Sequence, residues 1–181
     1  MTVDRPYDVV IAGRGGQGAL FLARVIGEAA MHQGLGVRVT ETHGMAMRGG
    51  SVLGFVRLGD ALGPLFRRGT GALLLALHEE EAATGIGYLS PNGTAVVNTD
   101  RAAAGMDRTA VEVDADGLAE SVGHLRSANL ALLGAAAARV EGFPLQVASL
   151  ESAILALGAK NARLNNLEVF RLGLEDVRRK T

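Results

Sequence analysis

The stretch YDVVIAGRGGQGALFLARVIGEAAMHQG, residues 7–34, decides the fold class of this chain. Its first seven residues are mostly apolar and rich in β-branched side chains, which predicts a buried strand. The glycine-rich turn GRGGQG follows at residues 13–18, and apolar residues then recur at helical spacing until Gly34 or Gly36 ends the helix. A buried strand that leads through glycines into a helix predicts an α/β domain.

The pattern continues with alternating strands and helices and then becomes helical. VRVTE at residues 37–41 predicts a second strand and completes a βαβ unit. HEEEAATGIGYL predicts one short helix, and the chain from Asp114 onward predicts a helical C-terminal third. No linker or internal repeat divides the sequence, so we expect one domain over residues 1–181. Further strands are predicted at SVLGFVRLG, GALLLAL, GTAVVN (entered through a turn at SPNG) and TAVEVD.

The connection between the second and third strands is too short for a parallel pair. Only nine residues lie between Glu41 and Ser51, whereas a helical crossover needs about a dozen or more. We therefore expect these two strands to be antiparallel neighbours or to lie apart, in a sheet of mixed direction.

Composition excludes several classes of function. The formal charge is −1 and aromatic residues are 4% of the chain, so neither a basic footprint nor a base-stacking surface for nucleic acid is present. The chain has no cysteine, which excludes disulfides, thiolate zinc sites and cysteine-ligated iron–sulfur clusters within it. The histidines show no metal-ligand spacing. No apolar run reaches the length of a membrane span and the first residues do not resemble a signal peptide, so we expect a cytoplasmic protein.

The first glycine motif allows two interpretations. Gly13, Gly15 and Gly18 fit G-x-G-x-x-G after a strand and before a helix, where backbone N–H groups can bind an anion. With Glu41 as a ribose-binding acid at the end of the second strand, this motif predicts a site for NAD or FAD. Against that hypothesis, Arg14 and Gln17 place long side chains inside the loop. The alternative is that the glycines only allow the helix to pack closely on the strand.

The second glycine-rich stretch is ETHGMAMRGGS, residues 41–51. A connection that only needed to turn could be made by an Asn-Gly pair. This one carries glycines that permit close backbone approach, together with His43, whose ordinary pKa lies near neutrality. It also carries Arg48, a planar cation suited to carboxylate or phosphate.

Taken together, GRGGQG, ETHGMAMRGGSV and VRLG resemble the gamma subunit, or gamma domain, of the 2-oxoacid:ferredoxin oxidoreductases. The similarity is strongest to the branch that contains the small beta subunit of indolepyruvate oxidoreductase. LLLALHEEEA, ANLALLG and NNLEVFRLG extend the resemblance through nearly the whole chain in the family's order. The two glycine motifs are specific as a pair and weak separately.

The resemblance implies a fold and a distribution of functions between two subunits. The fold is a three-layer α/β/α sandwich with a mixed, mostly parallel, Rossmann-like sheet. The activity is oxidative decarboxylation of a 2-oxoacid, such as pyruvate or an aryl pyruvate, with formation of an acyl-CoA and transfer of electrons to ferredoxin. Thiamine diphosphate, Mg²⁺ and iron–sulfur clusters are expected in a larger partner chain. The gamma-type chain packs beside the thiamine site, is expected to be inactive alone, and can contact coenzyme A (CoA).

The resemblance also implies which residues form the site. His43 is the single candidate for a catalytic role, no residue is expected to bind metal, and Met47 and Asn129 are assigned to the interface or site. Met47 stands where the family pattern has Gln, and Arg14 where it has a smaller or apolar residue. The residues expected to bind a cofactor are Gly13, Gly15, Gly16, Gln17, Gly18, Thr42, His43, Gly44, Arg48, Gly49, Gly50 and Ser51.

Several polar residues have simpler structural interpretations. The carboxylates Glu79, Glu80 and Glu81 suit the positive end of a helix. Ser127 and Asn129 are most simply explained by helix capping, and Asn166 and Phe170 are expected to fasten the last helix to the body. Two other functions stay open at this point: a stand-alone nucleotide-binding module, and a scaffold subunit whose glycine loops only pack against a partner.

Overall fold

The computed structural model describes residues 5–43, 50–100 and 110–176, and of Thr42 and His43 it describes the backbone alone. Six strands and six α-helices occur in these ranges, with a short 3-10 helix at Leu125–Ser127. The strands are β1 (Tyr7–Arg14), β2 (Val37–His43), β3 (Ser51–Leu58), β4 (Gly71–Ala76), β5 (Leu89–Asn98) and β6 (Ala110–Val113). The helices are α1 (Ala19–His32), α2 (Glu79–Ile86), α3 (Ala115–Ser121), α4 (Ala128–Arg139), α5 (Val147–Leu157) and α6 (Arg163–Glu175).

The strands form one sheet in the order β2-β3-β1-β4-β5-β6. The pairs β1–β4, β4–β5 and β5–β6 are parallel, whereas β3 is antiparallel to both β1 and β2. The sheet is therefore mixed and mostly parallel, as predicted. The short connection after β2 has the expected consequence, because β2 and β3 are antiparallel neighbours. The βαβ unit β1–α1–β2 is split, since β3 lies between its two strands.

Both faces of the sheet are covered by helices. Alternate residues of the central strands, such as Val9 and Ile11, belong to the larger core, which includes α1 and α4. The intervening residues, such as Val10 and Ala12, pack with Ala82 of α2 on the other face. Burial on both faces explains why these strands are continuous apolar runs and not alternating patterns. The three-layer prediction is confirmed.

Close backbone contact joins the C-terminal helices to this body. Helix α6 packs along α4, and α5 packs on α1. A Cβ atom at Gly173 would collide with the Ala131 carbonyl, and one at Gly134 would lie 2.8 Å from the Leu174 nitrogen. The side chain of Phe170 is fully buried, which agrees with its predicted fastening role.

Two local predictions concern glycine and have different outcomes. Gly34 follows the end of α1 with φ of +70°, and Leu35 N–H donates to the Ala30 carbonyl, so a glycine does end this helix. The turn predicted at SPNG is wrong, because residues 90–93 lie inside β5. The pairing of β4 with β5 shifts from Gly71↔Leu89 to Leu73↔Thr94. Residues 90–93 therefore form a bulge in β5, and β5 pairs with β4 on both sides of that bulge.

No helix in the described ranges is both long enough and apolar enough to cross a membrane.

Candidate functional site

The first glycine loop lies where ligands bind in open α/β sheets. It follows the carboxyl end of β1, whose parallel neighbour is β4. The helix after β1 belongs to the larger core on one face, whereas the helix after β4 packs on the other. The crevice between two such strands, outside their carboxyl ends, is the usual binding position in this fold class.

The loop is closed by one of its own side chains. Arg14 N–H donates to Gln17 Oε1 at 2.7 Å, and Gln17 N–H donates to the Arg14 carbonyl at 3.1 Å. Gly16 and Gly18 have φ of +98° and +83°, conformations that disfavour any other residue. A Cβ at Gly13 would lie 2.8 Å from Leu77 Cδ1. Close packing therefore explains Gly13, and backbone conformation explains the other two.

A buried carboxylate connects the two predicted glycine loops. Glu81, in the first turn of α2, accepts a hydrogen bond from Arg14 Nε at 3.2 Å and one from Ser51 Oγ at 2.6 Å. Arg14 also forms an ion pair with Glu80, which is exposed. Gly15 N–H donates to the Gly50 carbonyl at 3.0 Å. The structure thus brings the first loop together with Gly50 and Ser51.

The role of Glu81 was only partly predicted. Residues Glu79–Glu81 do begin α2, and His78 caps that helix by accepting from Glu80 N–H. The sequence analysis missed the tie from Glu81 to the loops. Two features of the sequence could have predicted this contact: an unusual Arg14 at the end of β1 and an acidic residue shortly after β4. Adjacent parallel strands bring residues at such positions together.

Asn129 contacts the first loop from α4. Its Nδ2 donates to the Gly18 carbonyl at 3.1 Å, and a Cβ at Gly18 would collide with that nitrogen. Asn129 is 5% exposed, and its Oδ1 has no hydrogen-bond partner among the described residues. A buried acceptor left without a donor usually has an external partner, such as water or a ligand.

The capping prediction for Ser127 and Asn129 is wrong. Helix α4 has no side-chain cap in the described structure. Ser127 Oγ instead donates to Asn166 Oδ1 at 2.5 Å and lies within hydrogen-bond distance of His124 Nδ1, at 2.6 Å. This buried chain fastens α6 to the turn before α4, as predicted for Asn166. Ser127 thus links these two segments of the structure.

A cavity of about 260 Å³ opens beside the first loop and Asn129. Residues just before α1 and at the start of α4 line it, so the positive ends of both helices lie near it. Asp116 and Arg126 add one charge of each sign. The lining residues are Gly16, Gln17, Leu77, Asp116, Leu125, Arg126, Ala128 and Asn129.

Asn98 fixes the wall of this cavity. Its Nδ2 donates to the Leu77 carbonyl at 3.1 Å and to Asp116 Oδ2 at 3.0 Å, while its Oδ1 accepts from Ala115 N–H at 3.0 Å. Asn98 was not among the predicted site residues. A polar residue at the carboxyl end of a buried apolar strand was the available signal.

The second glycine stretch lies mostly outside the described residues. Gly44, Met47, Arg48 and Gly49 are in the range 44–49, so their predicted roles stay predictions. The backbones of Thr42 and His43 end β2, opposite Leu53 and Val52, and their proposed roles likewise stay predictions. Among the described residues, no group of three histidine, aspartate or glutamate side chains could hold a metal ion.

The NAD or FAD hypothesis is not supported by the sheet order. Glu41 lies on β2, and the antiparallel β3 separates that strand from β1 and its loop. Neighbouring strands are about 4.8 Å apart, so the acid lies about two strand spacings from the loop. A dinucleotide half-domain requires the second strand directly beside the first.

Comparisons with known proteins agree with this architecture. The pattern of the family described as pyruvate ferredoxin/flavodoxin oxidoreductase matches residues 8–176. Indolepyruvate oxidoreductase subunit IorB of Methanothermobacter thermautotrophicus is 34% identical in an alignment 169 residues long, which covers 82% of this chain and 86% of that protein. The chain therefore belongs to the pyruvate ferredoxin/flavodoxin oxidoreductase family.

Two solved structures share the fold. The gamma subunit of a keto/oxoacid ferredoxin oxidoreductase from Geobacter sulfurreducens superposes with a TM-score of 0.79 at 24% identity, covering 93% of this chain and 96% of that one. A 2-oxoglutarate:ferredoxin oxidoreductase from Magnetococcus marinus, with 2-oxoglutarate, coenzyme A and succinyl-CoA bound, superposes with a TM-score of 0.78 at 20% identity. That match covers 95% of this chain and 31% of the longer one.

Proposed function

Starting from this family membership, we propose that the chain is the small, gamma-type subunit of a cytoplasmic 2-oxoacid:ferredoxin oxidoreductase. The observation that carries the proposal is the family match over residues 8–176, together with a relative named as an indolepyruvate oxidoreductase subunit. We further propose indolepyruvate, or a related aryl pyruvate, as the substrate of the complex.

The proposed complex divides the chemistry between two chains. Because the 181 residues include no cysteine, the iron–sulfur clusters have to be held by the larger partner, and we assign thiamine diphosphate and Mg²⁺ to that partner as well. When bound there, thiamine diphosphate supplies the decarboxylation chemistry, and ferredoxin accepts the electrons. This chain would act as one gamma-type domain that covers the partner's site and is inactive alone.

We propose that the cavity beside the first glycine loop contacts CoA. The positive ends of α1 and α4, with Arg126, suit phosphate oxygens. Asn129 Oδ1 needs a hydrogen-bond donor, and CoA carries amide N–H and hydroxyl groups that can provide one. A relative of the same fold holds CoA, which supports the choice of ligand.

The proposed contacts of this chain are with the ligand and not with the reacting bond. Gly13, Gly15, Gly16, Gln17 and Gly18 would shape the floor of the site. Asn129 would orient the ligand from α4. Thr42, His43, Gly44, Met47, Arg48, Gly49, Gly50 and Ser51 remain the proposed second wall, with His43 as the candidate for proton transfer.

The experiment is anaerobic co-expression of the tagged chain with its larger partner. We expect purification in a fixed ratio, with iron, sulfide and thiamine diphosphate in the eluate. The complex should then reduce a viologen dye in the presence of indolepyruvate and CoA. A chain that elutes alone and without cofactors would contradict the subunit assignment.

A variant tests the CoA contact within the same complex. Asn129→Ala removes the acceptor, so we expect the KM for CoA to rise about tenfold, the loss of one buried hydrogen bond, with the KM for the 2-oxoacid unchanged. Asn165→Ala, at a partly buried α6 position outside the cavity lining, is the matched control. Equal CoA kinetics in both variants would remove Asn129 from the site.

A further inference from the structure

The connection between β3 and β4, residues 59–70, carries exposed apolar side chains at one end of the sheet. We name these residues the Leu62 loop. Leu62 is 105% exposed and Leu65 is 55% exposed. Ile86 is 51% exposed and lies beside the loop, because Gly69 N–H donates to the carbonyl of the next residue, Gly87, at 3.1 Å.

This loop is held in one conformation by a partly buried cation. Arg57 Nη1 donates to the carbonyls of Gly63 and Leu65, each at 3.2 Å. Asp8, which is 6% exposed, fixes the same guanidinium group through contacts of 2.7 and 3.3 Å. Arg57 therefore bonds the backbone of Leu65 and that of Gly63, the residue that follows Leu62.

Aromatic packing supports the loop from below. Phe66 makes edge-to-face contacts with Phe55 and Tyr88, at centroid distances of 5.4 and 6.2 Å. Ala61 is buried on the other side of Leu62. A loop whose flanking residues are anchored presents its exposed leucines with little conformational entropy left to lose, which is the condition for tight binding.

The charges near the leucines indicate the kind of partner. Arg67 and Arg68 are exposed, and Asp60 is the one acidic residue in the loop. A second copy placed on a two-fold axis through this loop would bring like guanidinium groups together, and such contacts are unfavourable. A different protein that has an apolar recess surrounded by carboxylates would complement both the exposed leucines and the exposed arginines.

We infer that the Leu62 loop is a docking element for the larger partner chain, inserted into an apolar recess that acidic residues surround. This inference rests on the proposed function, which provides the partner. The loop precedes the amino end of β4, whereas the glycine loop follows the carboxyl end of β1, so about 20 Å separates them along the strands. Docking here would hold the subunit through the edge of the sheet opposite its candidate ligand site.

The test measures the affinity of the tagged chain for the purified larger chain. We expect Leu62→Asp with Leu65→Asp to raise the Kd by at least about 30-fold, because an unpaired carboxylate in an apolar recess is costly to bury. The matched control is Leu164→Asp, which changes an equally apolar side chain, 76% exposed, on α6. Circular dichroism and urea midpoints of all variants should match the original chain, which separates docking from folding.

Charge reversal tests the chemistry of the recess. Arg67→Glu should raise the Kd about tenfold and flatten its dependence on salt, whereas Arg24→Glu, an exposed position on α1, should change neither. Unchanged binding by the Leu62 and Leu65 variant would overturn the docking inference and leave the subunit assignment intact. Dimers of this chain that the same variant abolishes would overturn it in favour of a second copy. Failure of the original chain to bind any larger chain would overturn both proposals.

Discussion

Glycine has different purposes at the carboxyl edge of the sheet and at the contact of α4 with α6. At the edge, Gly16 and Gly18 adopt positive φ and let a loop close on itself. At the helix contact, Gly134 and Gly173 leave room for the backbone of the other helix. The loop is further tied by polar bonds from Gln17 and Glu81, whereas Gly134 and Gly173 lie where the two helix backbones pack directly against each other. Substitutions at the helix contact should therefore lower stability more than substitutions at the polar bonds of the loop.

The largest expected effect lies at the helix contact. Gly173→Ala would place a methyl group against the Ala131 backbone, 2.7 Å from its Cα. Backbone cannot move aside as a side-chain end can, so we expect the free energy of unfolding to fall by about 3 kcal/mol. Gly27→Ala, at a helix position with space for a methyl 3.5 Å from Val39 Cγ2, is the control and should be neutral or stabilising. Urea denaturation of both variants measures the difference, and equal midpoints would refute it.

A smaller loss is expected at the polar tie. Glu81→Gln keeps the shape but removes the charge that holds Arg14 and Ser51. Because the carboxylate is buried and Arg14 is 40% exposed, we expect a loss of about 1 to 2 kcal/mol. Glu80→Gln, whose side chain is 64% exposed, should cost less than about 0.5 kcal/mol. Equal urea midpoints for the two variants would mean that the buried tie contributes nothing beyond a surface ion pair.

The smallest effect concerns one hydrogen bond of the same tie. Ser51→Ala should lower the unfolding free energy by about 1 kcal/mol. In a double-mutant cycle with Glu81→Ala, the two losses should be less than additive, because both remove the same contact. Strict additivity would show that Ser51 and Glu81 act independently and that the two loops are not joined through this carboxylate.

Sequence patterns predicted the elements well because each is governed by local chemistry. The apolar run 7–13 and the helical spacing after Gly18 define β1 and α1 without reference to the rest of the chain. The nine-residue connection after β2 also predicted an antiparallel neighbour from length alone. SPNG was misjudged because its turn-forming residues are held in β5 by pairing with β4 on both sides, which is a tertiary effect.

The candidate site was predicted less completely, since its contacts join residues distant in sequence. Glu81 lies 67 residues from Arg14, and Asn129 lies 111 residues from Gly18. In the sequence, Glu81 and Asn129 could both be explained by the preference of such residues for helix starts. Their spacing therefore gave no reason to connect them with the first glycine loop. Asn98 was overlooked for the same cause. The family resemblance, and not local pattern, pointed to Asn129.

The reversed strand β3 also bears on how the chain folds as it is synthesised. Strand β1 emerges first, yet its two neighbours in the sheet are Ser51–Leu58 and Gly71–Ala76. Until those segments leave the ribosome, β1 has no partner on either side, and an apolar strand in that state is prone to aggregate. The β2–β3 hairpin is the first pairing available, because its loop is short. We therefore expect the nascent chain to form that hairpin first and to receive β1 beside it, with α1 covering the exposed face in the meantime.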